Sequence, residues 1–344
     1  MEEHKLTKYS HSAGCGCKMA PADLALILTE RSETQFKELL VGNHSNDDAA
    51  VWDIGNGQAI INTVDFFMPI VDDAYNFGKI AAANAISDVY AMGGKPIFAN
   101  ALLGWPIGTL PLELANKVMS GAKDICKEAG IPIAGGHSID SKEPLFGLTV
   151  TGLVRTEYLK RNNTPRVGDL LLLTKPLGTG IIATATKRGL VQEAHLAAAI
   201  KSMCGLNKVG EVLAEQTAVH ALTDVTGFGL LGHLIEMCGT EFSAELNWGK
   251  VPKFDFLSEY LTQNIIPDNT YRNWNAYEKS VEGIADMPSF QVLNDPQTSG
   301  GLLIAIAPES LLLVQEILQL NGVNSIEPIG KITSKKEKTI LIQS

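Results

Sequence analysis

Long apolar runs are missing from this 344-residue sequence; none approaches the ~18 consecutive apolar residues of a membrane-spanning helix. Positive charge is also in short supply. Lys and Arg number 28 against 38 Asp and Glu, a formal net charge of −10, which provides no basic footprint for general nucleic-acid or anionic-membrane binding. Five cysteines are an odd number and far too sparse for a disulfide scaffold. The opening Met1-Glu2-Glu3-His4-Lys5 lacks the basic-then-apolar layout of a signal peptide, so the expected compartment is cytoplasmic. No phosphate-loop sequence G-x-x-x-x-G-K-[ST] is present. What is there is enough material for cores, since 45% of residues are hydrophobic, and wholesale disorder is excluded. At about 150 residues per domain the length predicts two domains. The 32 glycines are concentrated at a few loops.

Element signals divide the chain into α+β halves. Residues 49–54 and 58–64 read as strands around Gly55-Asn56-Gly57, an Asn-Gly hairpin signal. A helix is expected over 77–92, a strand over 96–103 and a helix over 111–129, with Pro111 at its first position and Gly130 as its stop. Strands at 131–134 and 145–154 flank Gly135-Gly136-His137-Ser138, read as a loop. A short amphipathic helix is expected at 22–29. The polar stretch 157–168 reads as a linker. Beyond it, strands are expected at 169–174, 219–222, 302–307 and 326–332, and helices at 180–188, 193–203, 209–215, 228–238 and 309–320. The regular βαβα alternation of a doubly wound sheet is absent. A weak internal echo relates Ala85-Ile86-Ser87-Asp88-Val89 to Ala221-Leu222-Thr223-Asp224-Val225.

Several segments hold chemistry. Between Ile80 and Met92 the only charge is Asp88, which shares one helix side with Asn84 and Ser87 by i, i+3 and i+4 spacing. Solvated helix faces usually bear Lys and Glu, so this helix is expected to be buried on both sides, core on one and a site on the other. Isolated aspartates recur at Asp47-Asp48, Asp65 and Asp224. Singly each reads as a turn or cap. Together they suit a hard divalent cation, which takes one or two carboxylates plus substrate phosphates. The segment His11-Ser12-Ala13-Gly14-Cys15-Gly16-Cys17-Lys18 places two thiols beside a lysine that favours thiolate; the alternatives are an inert pair or a metal site with His11. Cys126, Cys204 and Cys238 read as structural. Gly227-Phe228-Gly229-Leu230-Leu231-Gly232 matches G-x-G-x-x-G but has no acidic residue about 20 positions on. A phosphate cradle would then use Gly135-Gly136-His137-Ser138 or Thr298-Ser299-Gly300-Gly301.

Seven segments, HSAGCGCK from His11, NDDAA from Asn46, TVDFFMP from Thr63, NAISDVYAMGGKP from Asn84, AGGHSI from Ala134, TDVTGFGLLGH from Thr223 and NDPQTSGGLL from Asn294, together resemble the selenophosphate synthetase family. They fall in family order over nearly the whole chain. The GCGCK segment is the most specific, and the Asp-rich segments and TSGG are shared more loosely with the wider aminoimidazole-ribonucleotide-synthetase-like superfamily. The resemblance implies an α+β fold of two domains. In it, residues 21–156 form an N-terminal ATP- and metal-binding domain that contributes to a dimeric β-barrel with flanking helices. Residues 169–344 form an α+β layer, and residues 1–20 a flexible Gly/Cys loop that closes over ATP.

The implied reaction converts ATP, selenide and water to selenophosphate, AMP and phosphate. By position, the resemblance makes Cys15 and Lys18 catalytic and gives Asp48, Asp88 and Asp224 to the metal, Mg²⁺. It assigns nucleotide contacts to Lys18, Ser45, Asn46, Asp47, Asp65 and Asp88, and to Gly136, His137 and Ser138 supplied by a partner copy in a homodimer. Nucleic-acid and membrane partners are not expected. Two other readings stand beside it: another ATP-dependent small-metabolite kinase or synthetase of the superfamily, and a non-enzymatic selenium or metal carrier using the Cys pair.

Overall fold

The computed structural model describes residues 4–10, 13–14, 27, 36–42, 47–324 and 326–343. The first half builds a six-stranded sheet: β1 (Leu39–Val41), β2 (Ala50–Gly55), β3 (Gln58–Phe67), β4 (Lys95–Trp105), β5 (Ile133–Asp140) and β6 (Leu145–Arg155), in the order β1-β2-β3-β6-β4-β5. Its pairs are antiparallel except β4 with β5. The β2–β3 hairpin turns at Asn56 (φ 55°) and Gly57 (φ 71°), the left-handed geometry that an Asn-Gly turn supplies. Among the described residues of one copy the sheet is open, with β1 and β5 as its edges, and no closed barrel is seen.

Two helices cover one face of this sheet, α1 (Ala74–Ala91) and α2 (Leu112–Ala129). The carboxylate of Asp73 caps α1 by accepting from the Asn76 amide at 2.8 Å, a favourable N-terminal arrangement. Pro111 stands at the cap position of α2 rather than at its first turn, and Gly130 (φ 78°) ends the helix as expected. The pair packs unusually close because neither helix has a Cβ at the crossing. A methyl group on Gly78 would come within 1.9 Å of the Val118 carbonyl oxygen, and one on Gly121 within 2.0 Å of that of Tyr75.

The second half contains α3 (Thr179–Lys187), α4 (Glu193–Cys204), α5 (Val209–Ala214), α6 (Gly229–Cys238), α7 (Ser258–Leu261), α8 (Asp268–Tyr277), α9 (Met287–Leu293) and α10 (Leu311–Leu320). They pack with a seven-stranded sheet of β7 (Leu170–Leu173), β8 (Val219–Asp224), β9 (Phe242–Asn247), β10 (Val281–Glu282), β11 (Leu302–Ile306), β12 (Gly330–Ser334) and β13 (Ile340–Gln343), ordered β10-β13-β9-β12-β7-β11-β8. Every residue of β11 is buried, which explains its unbroken apolar run. The last expected strand lies later than the apolar signal indicated, at 330–334 instead of 326–332.

The key element is α1. One side rests on β3, β4 and β6, and the other on α4, α5 and β8. Every residue from Ile80 to Ala91 is consequently buried, as the lack of surface charge along that stretch implied. Two expectations are corrected, and the doubtful G-x-G-x-x-G match is set aside by the topology as well. Gly135-Gly136-His137-Ser138 is part of strand β5, not a loop, because its partner β4 supplies a backbone ladder that the glycines do not oppose. The internal echo has no structural counterpart, since Asp88 lies in a helix and Asp224 ends a strand. The G-x-G-x-x-G match leads into α6, but β8 is an edge strand paired antiparallel with β11, and the next strand, β9, lies elsewhere in the sheet. No parallel β-α-β unit exists there for a dinucleotide. The expected helix at 22–29 falls outside the described residues except for Ile27.

Candidate active site at the junction of the two halves

Four backbone segments meet where α1 passes between the sheets. Strand β3 alternates, so Thr63 and Asp65 face α1 while Val64 and Phe66 face away. From α1, Asn84 and Asp88 point back towards them. The Thr63 hydroxyl donates to Asp88 Oδ2 at 2.5 Å, and the Asn84 amide donates to Asp65 Oδ2 at 2.6 Å. From the second half, the end of β8 contributes Thr223, whose hydroxyl donates to Asp48 Oδ1 at 2.8 Å, and Asp224, only 1% exposed. Asp47 accepts from the Asn162 amide at 2.8 Å, which ties the start of β2 to the segment joining the halves.

The segment Pro296–Gly301 locks this junction. The Ser299 amide donates to Asn84 Oδ1 at 2.7 Å, so one asparagine holds both Asp65 and the second half. Asn207 spans the same seam, its amide donating to Ser87 Oγ at 2.7 Å and to the Gly300 carbonyl at 2.9 Å. Ser299 sits at φ 49°, a left-handed conformation that costs a non-glycine residue roughly 1 kcal/mol or more. It is held there by Asn84 and by Lys175, whose Nζ donates to the Ser299 carbonyl at 2.9 Å. Thr298-Ser299-Gly300-Gly301 is buried, an interdomain latch and not an open phosphate cradle.

Electrostatics set this junction apart. Burial holds the Asp88 carboxyl well above the usual carboxylate range, and the charges of Asp65, Asp224 and Asp48 push it further; the Thr63 hydrogen bond opposes them. Burial likewise raises Asp48, with Asp224 as the next cause. The carboxylates therefore lie close enough to repel one another through protein, and Lys175 is a cation that feels Asp224. Asp48 is half-buried as a residue, yet its Oδ2 is shut off from solvent and has no hydrogen-bond partner. Such an orphaned carboxylate oxygen is the donor type that Mg²⁺ and Ca²⁺ prefer. A divalent cation would reverse the repulsion. Among the described residues no three His, Cys, Asp or Glu side chains are gathered as a metal cage.

Residues 46–154 match the N-terminal domain model and residues 166–343 the C-terminal domain model of the AIR synthase related proteins. A selenide, water dikinase of Colwellia psychrerythraea is 51% identical over 346 aligned residues, covering 100% of both chains. One from Photorhabdus laumondii is 50% identical, covering 99% of this chain and 98% of its own. The chain belongs to the selenide, water dikinase family. Its fold is also similar to that of a thiamine-monophosphate kinase from Stenotrophomonas maltophilia K279a, with a TM-score of 0.64 at 17% identity, covering 95% of this chain and 96% of that one.

For a selenide, water dikinase family member, the described residues bring Asp47, Asp48, Asp65, Asp88 and Asp224 to one junction. Gly136, His137 and Ser138 are not brought there. They lie exposed in edge strand β5, three strand spacings from β3 and so roughly 14 Å from Asp65. Cys15, Lys18, Ser45 and Asn46 lie outside the described residues. Cys126, Cys204 and Cys238 are free and buried, with thiols pushed up by burial to about 12, 11 and 12, which makes them inert. Sequence reasoning missed the threonine partners Thr63 and Thr223 and the bridge Asn207. Each threonine stands within two residues of a site aspartate, a usable signal; Asn207 offers none, because its contacts lie 120 and 93 residues away. Among the described residues no helix is long and apolar enough to cross a membrane.

Proposed function

We propose that this chain makes selenophosphate from ATP, selenide and water, releasing AMP and phosphate, with the nucleotide held at the junction of its two halves. The observation supporting it most is the convergence of Asp48, Asp65, Asp88 and Asp224 on a latched seam, in a chain half identical to selenide, water dikinases from end to end. Phosphoryl transfer asks for positioning and charge neutralisation more than covalent help. Asp48, Asp88 and Asp224 would hold Mg²⁺, which would supply positive charge to offset that of the phosphates. Thr63 and Thr223 fix the orientation of Asp88 and Asp48, and Asp47 and Asp65 face the same space. By resemblance, Lys18 balances charge on the transferred group and Cys15 handles selenium, a soft atom suited to a thiolate. Ser45 and Asn46 complete the nucleotide turn.

The working unit in this reading is a homodimer. The outer face of the first sheet exposes Trp52, Ile54, Val64 and Phe66, the last two at 54% and 51%, and an apolar patch of this kind marks an interaction surface. A second copy seated on it would close the two sheets into a barrel and carry Gly136, His137 and Ser138 to its neighbour's nucleotide. The domain boundary is placed within residues 157–168, between the strands of the two sheets.

Anaerobic incubation with Mg-ATP and selenide, followed by phosphorus NMR, tests the activity. A phosphorus–selenium species with one AMP per turnover is expected, and ADP as the sole final nucleotide would overturn it in favour of another superfamily kinase. Cys15→Ser should abolish selenide-dependent turnover and Cys17→Ser largely spare it; equal losses would reverse the choice of cysteine.

A further inference from the structure

The net charge of −10 makes one cavity conspicuous. About 360 Å³ in volume, it is lined by Lys187, Arg188 and Arg272, with Asp268 as the opposing charge. Its floor is apolar, from Ile70, Ala183 and Ile266. Lys187 comes from the end of α3, Arg188 follows it, and Arg272 comes from α8 across the cavity. Arg188 and Arg272 are exposed, whereas Lys187 is half-buried, its Nζ donating at 2.8 Å to the Ser10 carbonyl. Ion pairs do not explain the group: the described salt bridges involve none of the three.

Two observations tie this cavity to the active site. Pro296 and Thr298 line it, while the next residue, Ser299, donates to Asn84, which in turn holds Asp65. The cavity and the carboxylate junction therefore lie back to back across one strand of the latch. The opposite wall is Ala13, and Gly14 beside it donates its amide to Met68 at 3.1 Å. Gly14 has φ 52° and packs so closely that a Cβ would meet Thr298 Oγ1 at 2.5 Å. These two residues immediately precede Cys15 in the sequence.

We infer that this cavity binds a small phosphate-type oxyanion, the selenophosphate or orthophosphate that the proposed reaction forms; the inference rests on that reading. Guanidinium forks match the paired oxygens of a tetrahedral oxyanion, whereas hydroselenide has no oxygen acceptors and gains little from two arginines. The carboxylate junction repels a free oxyanion and needs a cation to retain it. The neighbouring cavity attracts the oxyanion directly, which gives a phosphoryl product somewhere to go once it leaves the metal.

Calorimetric titration of orthophosphate, and separately of thiophosphate as the oxygen-bearing stand-in for selenophosphate, into the full chain without nucleotide tests this. Binding of at least one anion should weaken about tenfold in Arg272→Ala and again in Arg188→Ala/Arg272→Ala, with thermal unfolding unchanged because both side chains are exposed. Arginine-dependent binding of thiophosphate alone identifies selenophosphate as the occupant, and of orthophosphate alone, phosphate. Affinity for both anions unchanged in the double variant, or no binding of either, overturns the inference. The measurement involves no turnover, so loss of the assigned activity would show separately, as absence of selenide-dependent AMP formation.

Discussion

A lone buried carboxylate and a cluster of them lie within one molecule and have different surroundings. Asp295 is fully buried, and burial pushes its carboxyl up to about 8. Its surroundings nonetheless answer it: Oδ2 accepts from the Gly180 amide at 3.1 Å and from the Gln297 side-chain amide at 2.7 Å. Gln297 also accepts from the Gly178 and Thr179 amides and the Thr179 hydroxyl, so the pair caps helix α3 from across the chain. The junction aspartates accept from Thr63, Thr223, the Asn84 side chain and the Asn162 backbone amide, and the charges of Asp65, Asp224 and Asp48 also raise Asp88. The first is closed by protein amides at Asp295 Oδ2, while its Oδ1, like Asp48 Oδ2, has no hydrogen-bond partner. The second concentrates carboxylates whose charges raise one another, a repulsion that a cation brought from outside would relieve.

Breaking the closed group should have the largest effect. Gln297→Ala strands several buried amides, each worth about 1–3 kcal/mol when unsatisfied. A fall of many degrees in thermal midpoint is expected, and a midpoint near that of the unmodified chain would show that the cap does not hold α3. Breaking the open group should alter binding instead. Asp224→Asn is expected to weaken ATP at least about tenfold in Mg²⁺, as loss of a metal-orienting group does. Without metal its thermal midpoint should match or exceed that of the unmodified chain, because one repelling charge is gone; a large destabilisation would move Asp224 to the structural side.

A smaller effect separates the groups by pH. The Asp295 carboxyl is raised above its unfolded value near 3.9, to about 8 in the fold, so the folded state binds the extra proton. Its contribution is full below the unfolded value and lost as pH rises towards 8. Asp295→Asn should flatten the decline in thermal midpoint between pH 5 and 8 by several degrees, and an unchanged slope would assign that decline to other groups. Smallest of all, Cys126, Cys204 and Cys238 should resist a thiol reagent in the folded chain and react only after unfolding. Labelling of the native protein at these positions would show that their burial is not maintained in solution.

The contrast also shows what could be read from the amino acids. The stretch Ile80–Ala91, with one charge among small residues, announced a helix buried on both sides, and its Asn84 and Asp88 are the residues that meet the aspartates of β2, β3 and β8. Patterns local to one element were legible because helix and strand periods are local. Segment 135–138 was misread because consecutive glycines look like a turn until the β4 ladder is known. The latch residues Thr298 and Ser299 resembled a phosphate loop, since nothing nearby in sequence reveals that Asn84, 215 residues away from Ser299, uses their backbone. The cation-lined cavity was invisible for the same reason, because Arg272 joins Lys187 and Arg188 around one cavity only in the folded chain.

Whether the open carboxylates await a metal-bound nucleotide is tested most directly by titrating ATP into the unmodified full-length chain, once with excess Mg²⁺ and once with a chelator. The expected result is binding in Mg²⁺ that becomes at least about a hundredfold weaker without it, the repulsion between phosphates and aspartates being then unrelieved. Equal affinity under both conditions would contradict the assignment of Asp48, Asp88 and Asp224 to the metal.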